Sequence, residues 1–330
     1  MRGREERDEQ KREMTKRKLE GYPAYMQGYF NYLYDKTENT KYNYITNVTY
    51  YLSYLKKNGK DISNLKIFNK TKPSDINAFV YGLNGKDAKK LNMYYALLSF
   101  YQYLENDEII SRNPVEKASK PRQPEQKEPV VLSKSEIKRL LYNIQNPPYT
   151  RRCIDLENRK KFKNMNTLIT ILALETGLRE GSLCEINVGD INFEDRYITV
   201  VQKGRTTHNA YFGEEIVELI ETWLEERKKI LEDMGKDTEA LFITVNGERL
   251  YPLYFDKMLK WAAAGIDKPI SPHKLRSTCA THIYDKTSDI YLTAQILGHV
   301  NIRHTRRYAK MPVQKERSAS NIMEDVIFSQ

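Results

Sequence analysis

A proline-rich, basic segment in the first half of the chain constrains its fold more than any other feature of the sequence. Proline at this density blocks both helix and sheet, and the charged residues keep the backbone solvated, so the segment predicts an extended linker. Prolines and basic residues alternate along it: Pro114, Pro121, Pro124 and Pro129 with Lys117, Lys120, Arg122 and Lys127. The 330-residue chain therefore divides into two domains, which agrees with the usual size of a domain.

The expected organisation of the chain follows from this linker. We expect a charged leader at 1–19, a helical domain at 20–112, the linker at 113–132, a second domain at 133–318 and a tail at 319–330. The tail carries apolar residues after a charged stretch, so it predicts a short amphipathic segment that is too small to fold alone.

Composition excludes several classes of protein. The chain is 40% hydrophobic and 11% aromatic, which is enough to form cores and excludes a disordered or collagen-like chain. The sequence has no apolar run of membrane-spanning length and no signal-peptide core near its start, so we expect a cytoplasmic protein without a membrane span. Its three cysteines, Cys153, Cys184 and Cys279, lack the spacing of a zinc site or redox pair. The excess of 54 Lys+Arg over 44 Asp+Glu gives a net charge of +10 and favours an anionic partner such as nucleic acid.

The first domain is predicted to be entirely helical. Apolar residues recur at helical spacing through 26–55, and Lys56-Lys57-Asn58-Gly59 ends that stretch. Two further helices are expected at 73–83, where Pro73 fits a first-turn position, and at 91–104.

The second domain is predicted to be mostly helical with one short sheet. Ser133 and Glu136 have the spacing of a capping box, and a buried helix through 165–175 is expected to end at Gly177. The β-branched and aromatic residues of 197–201 and 209–212 predict a hairpin that turns at Lys203-Gly204. Further helices are expected at about 214–232, 251–264, 272–286 and 289–297.

The residues that could carry chemistry are cationic or proton-transferring, and all lie in the second domain. The sequence lacks a P-loop, a G-x-G-x-x-G fingerprint and an H-E-x-x-H motif, which argues against nucleotide hydrolysis and zinc catalysis. Taken singly, each candidate has an ordinary structural explanation as a cap, a turn residue or a surface ion pair. The candidates are Arg179, Lys203, His273, Arg276, His299 and Tyr308.

Their order and spacing resemble the tyrosine recombinase (phage integrase) family, whose pattern is Arg, hairpin Lys, His-x-x-Arg, His and Tyr. Local contexts match as well: Thr176-Gly177-Leu178-Arg179, Lys203-Gly204, and Leu297-Gly298-His299 with Tyr308 nine residues on. The resemblance covers nearly the whole chain. It implies a mainly α fold with an N-terminal helical, SAM-like core-binding domain and a C-terminal mixed α/β catalytic domain with a small antiparallel sheet. One departure is Ser182, where many relatives have glutamate.

The chemistry of these residue types agrees with that resemblance. Attack on a phosphodiester builds negative charge on its non-bridging oxygens, which the planar guanidinium groups of Arg179 and Arg276 suit, with His299 donating as well. Tyr308 is the expected nucleophile, and because a phenol of pKa about 10 is scarcely ionised at neutral pH, it needs a base.

His273 is our candidate for that base, and Lys203 is the candidate acid for the leaving 5′-hydroxyl. The product is a covalent 3′-phosphotyrosine, and neither a metal nor any other cofactor is expected. Other histidines, His208 and His282, are interpreted as structural or solvent-facing.

The expected partner is double-stranded DNA with paired inverted-repeat core sites, bound by a homotetramer as the resemblance implies. Candidate DNA contacts are Lys41, Lys117, Lys120 and Arg122, and the segments 40–44 and 86–90 are expected DNA faces. By resemblance the tail docks on a neighbouring protomer, with docking on its own domain as the alternative. The sequence leaves open whether an accessory protein takes part.

Two competing functions remain at this point. One is a type IB topoisomerase, which uses similar chemistry on a single duplex, and the other is a DNA-binding accessory protein that keeps the fold without chemistry. The leader is too short for an additional arm-site domain, which favours a two-domain integrase or resolvase of a mobile element or of chromosome maintenance.

Overall fold

The chain forms two compact units that divide after residue 126. The computed structural model describes residues 2–124, 128–150, 153–201, 207–299 and 301–308. Within these ranges, every helix is too short or too polar to cross a lipid bilayer.

The described residues of the first unit form six helices. They are α1 (Arg2–Leu19), α2 (Tyr25–Tyr32), α3 (Glu38–Lys57), α4 (Lys66–Lys70), α5 (Pro73–Tyr81) and α6 (Asp87–Asn106). The expected single helical stretch over 26–55 is two helices, because Thr37 caps α3 by accepting a hydrogen bond from the backbone N–H of Thr40 at 3.3 Å. Leu33 is buried in the turn between them, so the apolar pattern continues through the break and hides it.

Aromatic side chains dominate the core of the first unit. Its fully buried members include Tyr29, Tyr51, Phe68, Phe100 and Tyr101. The hydroxyls of Tyr51 and Tyr101 hydrogen-bond to each other at 2.8 Å, and burial raises the pKa of Tyr51 to about 12. The core thus combines aromatic packing with internal hydroxyl pairing.

This core extends beyond α6 into the proline-rich segment. Val115 and Ala118 are buried in it, and the Tyr94 hydroxyl donates to the carbonyl of Val115 at 3.1 Å. The first residues of that segment therefore pack on the first unit.

The charged residues at the start of the chain form α1, which packs along α3. Thr15 is fully buried, Arg12 pairs with Glu38 at 3.6 Å, and the Lys11 ammonium lies 4.2 Å from the centroid of the Tyr42 ring.

In the part of the second unit that the structure describes, eight helices combine with one small sheet. Its helices are α7 (Lys134–Gln145), α8 (Cys153–Lys161), α9 (Lys163–Thr176), α10 (Glu180–Glu185), α11 (Glu215–Met234), α12 (Pro252–Ala262), α13 (Pro272–Thr287) and α14 (Ile290–Ile296). The strands are β1 (Ile191–Asn192), β2 (Tyr197–Val201) and β3 (Thr207–Tyr211), with 3₁₀ turns at Val188–Asp190, Ile302–His304 and Arg306–Tyr308. The sheet is antiparallel in the order β1-β2-β3, and Val201 at the end of β2 pairs with Thr207 at the start of β3. The expected hairpin is confirmed.

Helix α9 lies at the centre of this unit and packs against α7, α11 and α13. The predicted capping box is present at the start of α7: Ser133 Oγ accepts from Glu136 N at 3.3 Å, and Glu136 Oε2 accepts from Ser133 N at 2.7 Å. Leu132 lies just before α7 and is hydrogen-bonded to two side chains of α13. Its N–H donates to Thr278 Oγ1, and its carbonyl accepts from His282 Nε2. His282 is therefore structural, as expected.

Replacing Tyr51 by phenylalanine should destabilise the first unit by about 1–3 kcal/mol, because it removes the buried hydrogen bond between the Tyr51 and Tyr101 hydroxyls. Hydrogen exchange of the α3 and α6 amides should therefore become faster. Tyr54→Phe is the matched control, since Tyr54 lies on the same helix and is 39% exposed. Equal exchange in the two variants would contradict this account of the core.

Candidate active site

The turn that follows α9 depends on a glycine. Gly177 has φ +59°, and a Cβ at this position would lie 2.5 Å from Leu297 Cδ2 and 3.2 Å from Cys279 Sγ. Only glycine combines this backbone conformation with such close contact. The α9 turn (residues 176–179) is thereby held against the α14 turn (residues 296–299), and it presents the exposed Arg179 at the start of α10.

Arg276 on α13 joins these two turns. Arg276 is 4% exposed; its guanidinium donates from Nη1 to the carbonyl of Gly177 and from Nη2 to the carbonyl of Leu297 at 2.8 Å. These two bonds use two of the five N–H donors of the guanidinium. One side chain therefore joins both turns.

The electrostatics of this site favour an anion. Burial, together with the like charge of Arg179, lowers the pKa of Arg276 to about 10, while Tyr308 and Cys279 offset part of the effect. Within the described ranges, neither guanidinium forms an ion pair with a carboxylate. A bound phosphate would supply the missing negative charge.

The next two candidates, His299 and Tyr308, lie beside this arginine. His299 Nδ1 and Thr305 Oγ1 are hydrogen-bonded at 2.8 Å, which fixes the orientation of the imidazole. Tyr308 ends a 3₁₀ turn, is 3% exposed, and packs against Ala280 and Leu297. Ala280 lies one helical turn after Arg276 on α13, and the Leu297 carbonyl is bound by Arg276, so these contacts place the phenol near the guanidinium. Arg179, Arg276, His299 and Tyr308 are thus brought together.

The remaining two candidates are placed differently. His273 is exposed on the first turn of α13, one helical turn before Arg276. Lys203 lies outside the described residues, although β2 and β3, which carry it, are described on both sides.

Sequence reasoning missed two contacts that tie β3 to the site. His208 Nε2 lies 3.3 Å from the carbonyl of Ile296, and the backbone N–H of Gly213 donates to Glu175 Oε2 at 3.0 Å. Burial lowers the pKa of His208, the bond to Ile296 opposes this, and the charge of Arg276 adds to it. The alternation of side chains along a strand could have predicted that His208 faces inward, since His208 and the buried Ala210 share a face of β3.

A second candidate site is a polar cleft of about 520 Å³ on the first unit. It brings together the two segments expected to face DNA, because it is lined by Thr40, Asn43 and Asn47 from α3 and by Lys89, Asn92 and Tyr95 from α6. Lys120, at the C-terminal end of this unit, lies with its ammonium 5.0 Å from the Tyr95 ring centroid, while Lys117 and Arg122 are exposed.

Lys41 differs from the other predicted DNA contacts. Its side chain is 12% exposed and its ammonium lies 3.0 Å from Glu38 Oε1. The ammonium of Lys41 therefore forms an ion pair within the first unit, and Lys89 is the lysine that lines the cleft.

The second unit matches a known protein family. The model of the phage integrase family matches residues 131–315, which is more than half of the chain. The chain belongs to the phage integrase family.

Relatives of this integrase-family chain extend the match to the first unit. Tyrosine recombinase XerD of Oceanobacillus iheyensis is 29% identical over 277 residues, which cover 82% of this chain and 87% of that protein. The XerH site-specific recombinase bound to palindromic difH substrate has a TM-score of 0.65 at 21% identity, covering 88% of this chain and 81% of that one. A lambda integrase tetramer bound to a Holliday junction has a TM-score of 0.62 at 20% identity, covering 87% and 76% respectively.

These comparisons confirm the expected fold class, mainly α with a small antiparallel sheet, and the expected enzyme class, a tyrosine-type site-specific recombinase. No group of His, Cys, Asp and Glu side chains that could hold a metal ion occurs in the part of the chain that the structure describes.

Replacing Gly177 by alanine should destabilise the second unit by about 2–5 kcal/mol, because left-handed strain and overpacking against Leu297 add together. Gly235→Ala is the matched control: Gly235 ends α11 at φ +60°, and no atom lies within 4 Å of the position that a Cβ would take, so this change costs only about 1–2 kcal/mol of strain. Both tryptophans, Trp223 and Trp261, lie in the second unit, so tryptophan fluorescence during urea unfolding measures the difference. Equal costs at the two glycines would show that the two turns are not tightly packed.

Proposed function

We propose that this enzyme cleaves and rejoins DNA through a covalent bond between Tyr308 and a 3′-phosphate. The observation that carries the proposal is the bridging of the α9 and α14 turns by Arg276, with Arg179 and Tyr308 close to its guanidinium. In the first step the Tyr308 oxygen attacks phosphorus, a tyrosyl O–P bond forms, and the bond from phosphorus to the 5′-oxygen breaks. In the second step a 5′-hydroxyl attacks the phosphotyrosine and releases the tyrosine, so no energy source is consumed.

Arg179, Arg276 and His299 stabilise the charge on the non-bridging oxygens in both steps. Arg276 is already held by two carbonyls, so little reorganisation is needed when the phosphate binds. His273 takes the phenolic proton and Lys203 gives a proton to the leaving 5′-oxygen. On reversal Lys203 takes the proton from the attacking 5′-hydroxyl, and His273 returns a proton to the leaving phenolic oxygen.

The proposed substrate is a duplex with paired inverted-repeat core sites, bound by four protomers. The similarity in fold to XerH on palindromic DNA and to the lambda integrase tetramer supports this assembly. The tail at 319–330, which lies outside the described residues, is proposed to dock on a neighbouring protomer. The proposed compartment of this reaction is the cytoplasm.

The polar cleft of the first unit is proposed to contact bases in the major groove. Asn43 and Asn92 are exposed in it, and an asparagine amide can form two hydrogen bonds to an adenine edge. Lys89, together with Lys117, Lys120 and Arg122, is proposed to contact phosphates, which adds affinity without sequence preference.

Replacing Tyr308 by phenylalanine should abolish the covalent adduct and leave DNA binding unchanged, because only the nucleophilic oxygen is removed. The substrate is a core duplex selected by binding from a random-sequence pool, with a nick that traps the cleaved strand; the adduct is measured on denaturing gels. Tyr291→Phe is the control, since Tyr291 is 75% exposed.

Each competing function predicts another result in the same assay. An adduct that persists in Tyr308→Phe contradicts the assignment of the nucleophile. No adduct with the wild-type chain favours the accessory protein without chemistry, and ready relaxation of a supercoiled plasmid that lacks the selected site favours a topoisomerase.

Replacing Asn43 by alanine should change the base preference at one position of the core duplex. The binding free energy should weaken by about 1–3 kcal/mol for sites with the preferred base and change little for the others. Lys89→Ala is the matched comparison and should weaken binding of all sequences equally. It should also reduce the slope of the logarithm of the binding constant against the logarithm of salt concentration by about one. Repeating the random-sequence selection with each variant measures both effects. An unchanged preference in Asn43→Ala contradicts base reading by this face.

A further inference from the structure

Strand β3 and the residues directly after it contact the α14 turn and the end of α9. Near one end, the backbone N–H of Gly213 donates to Glu175 on α9, directly before the α9 turn. At the other end, His208 lies against the α14 turn, with Nε2 at 3.3 Å from the carbonyl of Ile296. Because the acceptor is a carbonyl oxygen, the ring nitrogen must carry the hydrogen and donate it.

Two donors therefore hold successive peptide units of the α14 turn. His208 binds the carbonyl of Ile296, and Arg276 binds the carbonyl of Leu297. Peptide units are planar, so fixing two in succession fixes the backbone dihedral angles of the residue between them, which is Leu297.

The orientation of Leu297 matters to three parts of the site. Its side chain fills the space that Gly177 leaves open, and it packs against Tyr308. Its backbone leads through Gly298, at φ +60°, into His299. A shift of this residue would move the imidazole of His299 and the support of Tyr308 together.

Histidine suits this position on chemical grounds. An apolar residue, as at the neighbouring inward position Ala210, would pack but could not donate to the carbonyl. A lysine or arginine could donate but would bring a third positive charge close to Arg276. A neutral imidazole donates without that repulsion, and burial together with the charge of Arg276 favours the neutral form.

We propose that His208 is a positioning residue for DNA cleavage, which holds the α14 turn so that His299 and Tyr308 meet the scissile phosphate. This inference rests on the proposed roles of His299 and Tyr308. It makes β3 a support of the catalytic turns in addition to a strand of the hairpin that carries Lys203.

The test compares two amide variants of the full chain on the nicked core duplex. In His208→Gln the amide nitrogen takes the place of Nε2 and can still reach the Ile296 carbonyl, whereas in His208→Asn it takes the place of Nδ1 and falls short. We expect His208→Asn to slow single-turnover cleavage about tenfold and His208→Gln to stay within about twofold to threefold of the wild type. Both should bind the duplex with the wild-type Kd, and tryptophan fluorescence should show both fully folded under the conditions of the cleavage assay.

A double-mutant cycle separates positioning from a merely structural role. Because part of the effect of His208 passes through His299, His208→Asn should slow cleavage by clearly less than tenfold when His299→Ala is already present. Additive losses, or equal rates for His208→Asn and His208→Gln, overturn the inference and leave the proposed function standing. A wild-type rate in His299→Ala alone contradicts the proposed role of His299 and overturns the inference with it.

Discussion

The guanidinium of Arg276 is the interaction on which the candidate active site depends. It donates to the carbonyls of Gly177 and Leu297, and so it closes the contact between the ends of two helices that are far apart in sequence. The contact requires a glycine in left-handed conformation, because any side chain at that position would collide with Leu297. Arg179, His299 and Tyr308 are all placed relative to this junction.

Burying this charge next to a second arginine is unfavourable in the free protein, and the lowered pKa of Arg276 reflects that cost. In the proposed complex a phosphodiester offsets this cost, since the anion supplies the charge that both guanidinium groups lack. The site is therefore preorganised for a group whose negative charge grows during the reaction, which is the arrangement that electrostatic catalysis requires. The two backbone bonds keep the guanidinium in place before DNA arrives.

Much of this architecture could be predicted from the sequence because it depends on local signals. The capping box at Ser133, the helix end at Gly177 and the hairpin were all predicted from neighbouring residues. The helix break before Thr37 was not, because Leu33 keeps the apolar spacing intact through the turn. The internal ion pair of Lys41 and the contact of His208 with Ile296 depend on tertiary packing that residue spacing does not contain.

The central claim is that Arg179, Arg276, His299 and Tyr308 converge on one phosphorus atom. A crystal structure with vanadate on a nicked core duplex tests it most directly, because pentavalent vanadium takes the geometry of the transition state. The account predicts a vanadium–oxygen bond to Tyr308, with nitrogens of the two arginines and His299 within about 2.7–3.2 Å of the equatorial oxygens. Vanadium bound to a different tyrosine, or an Arg276 that contacts backbone carbonyls alone, would contradict it.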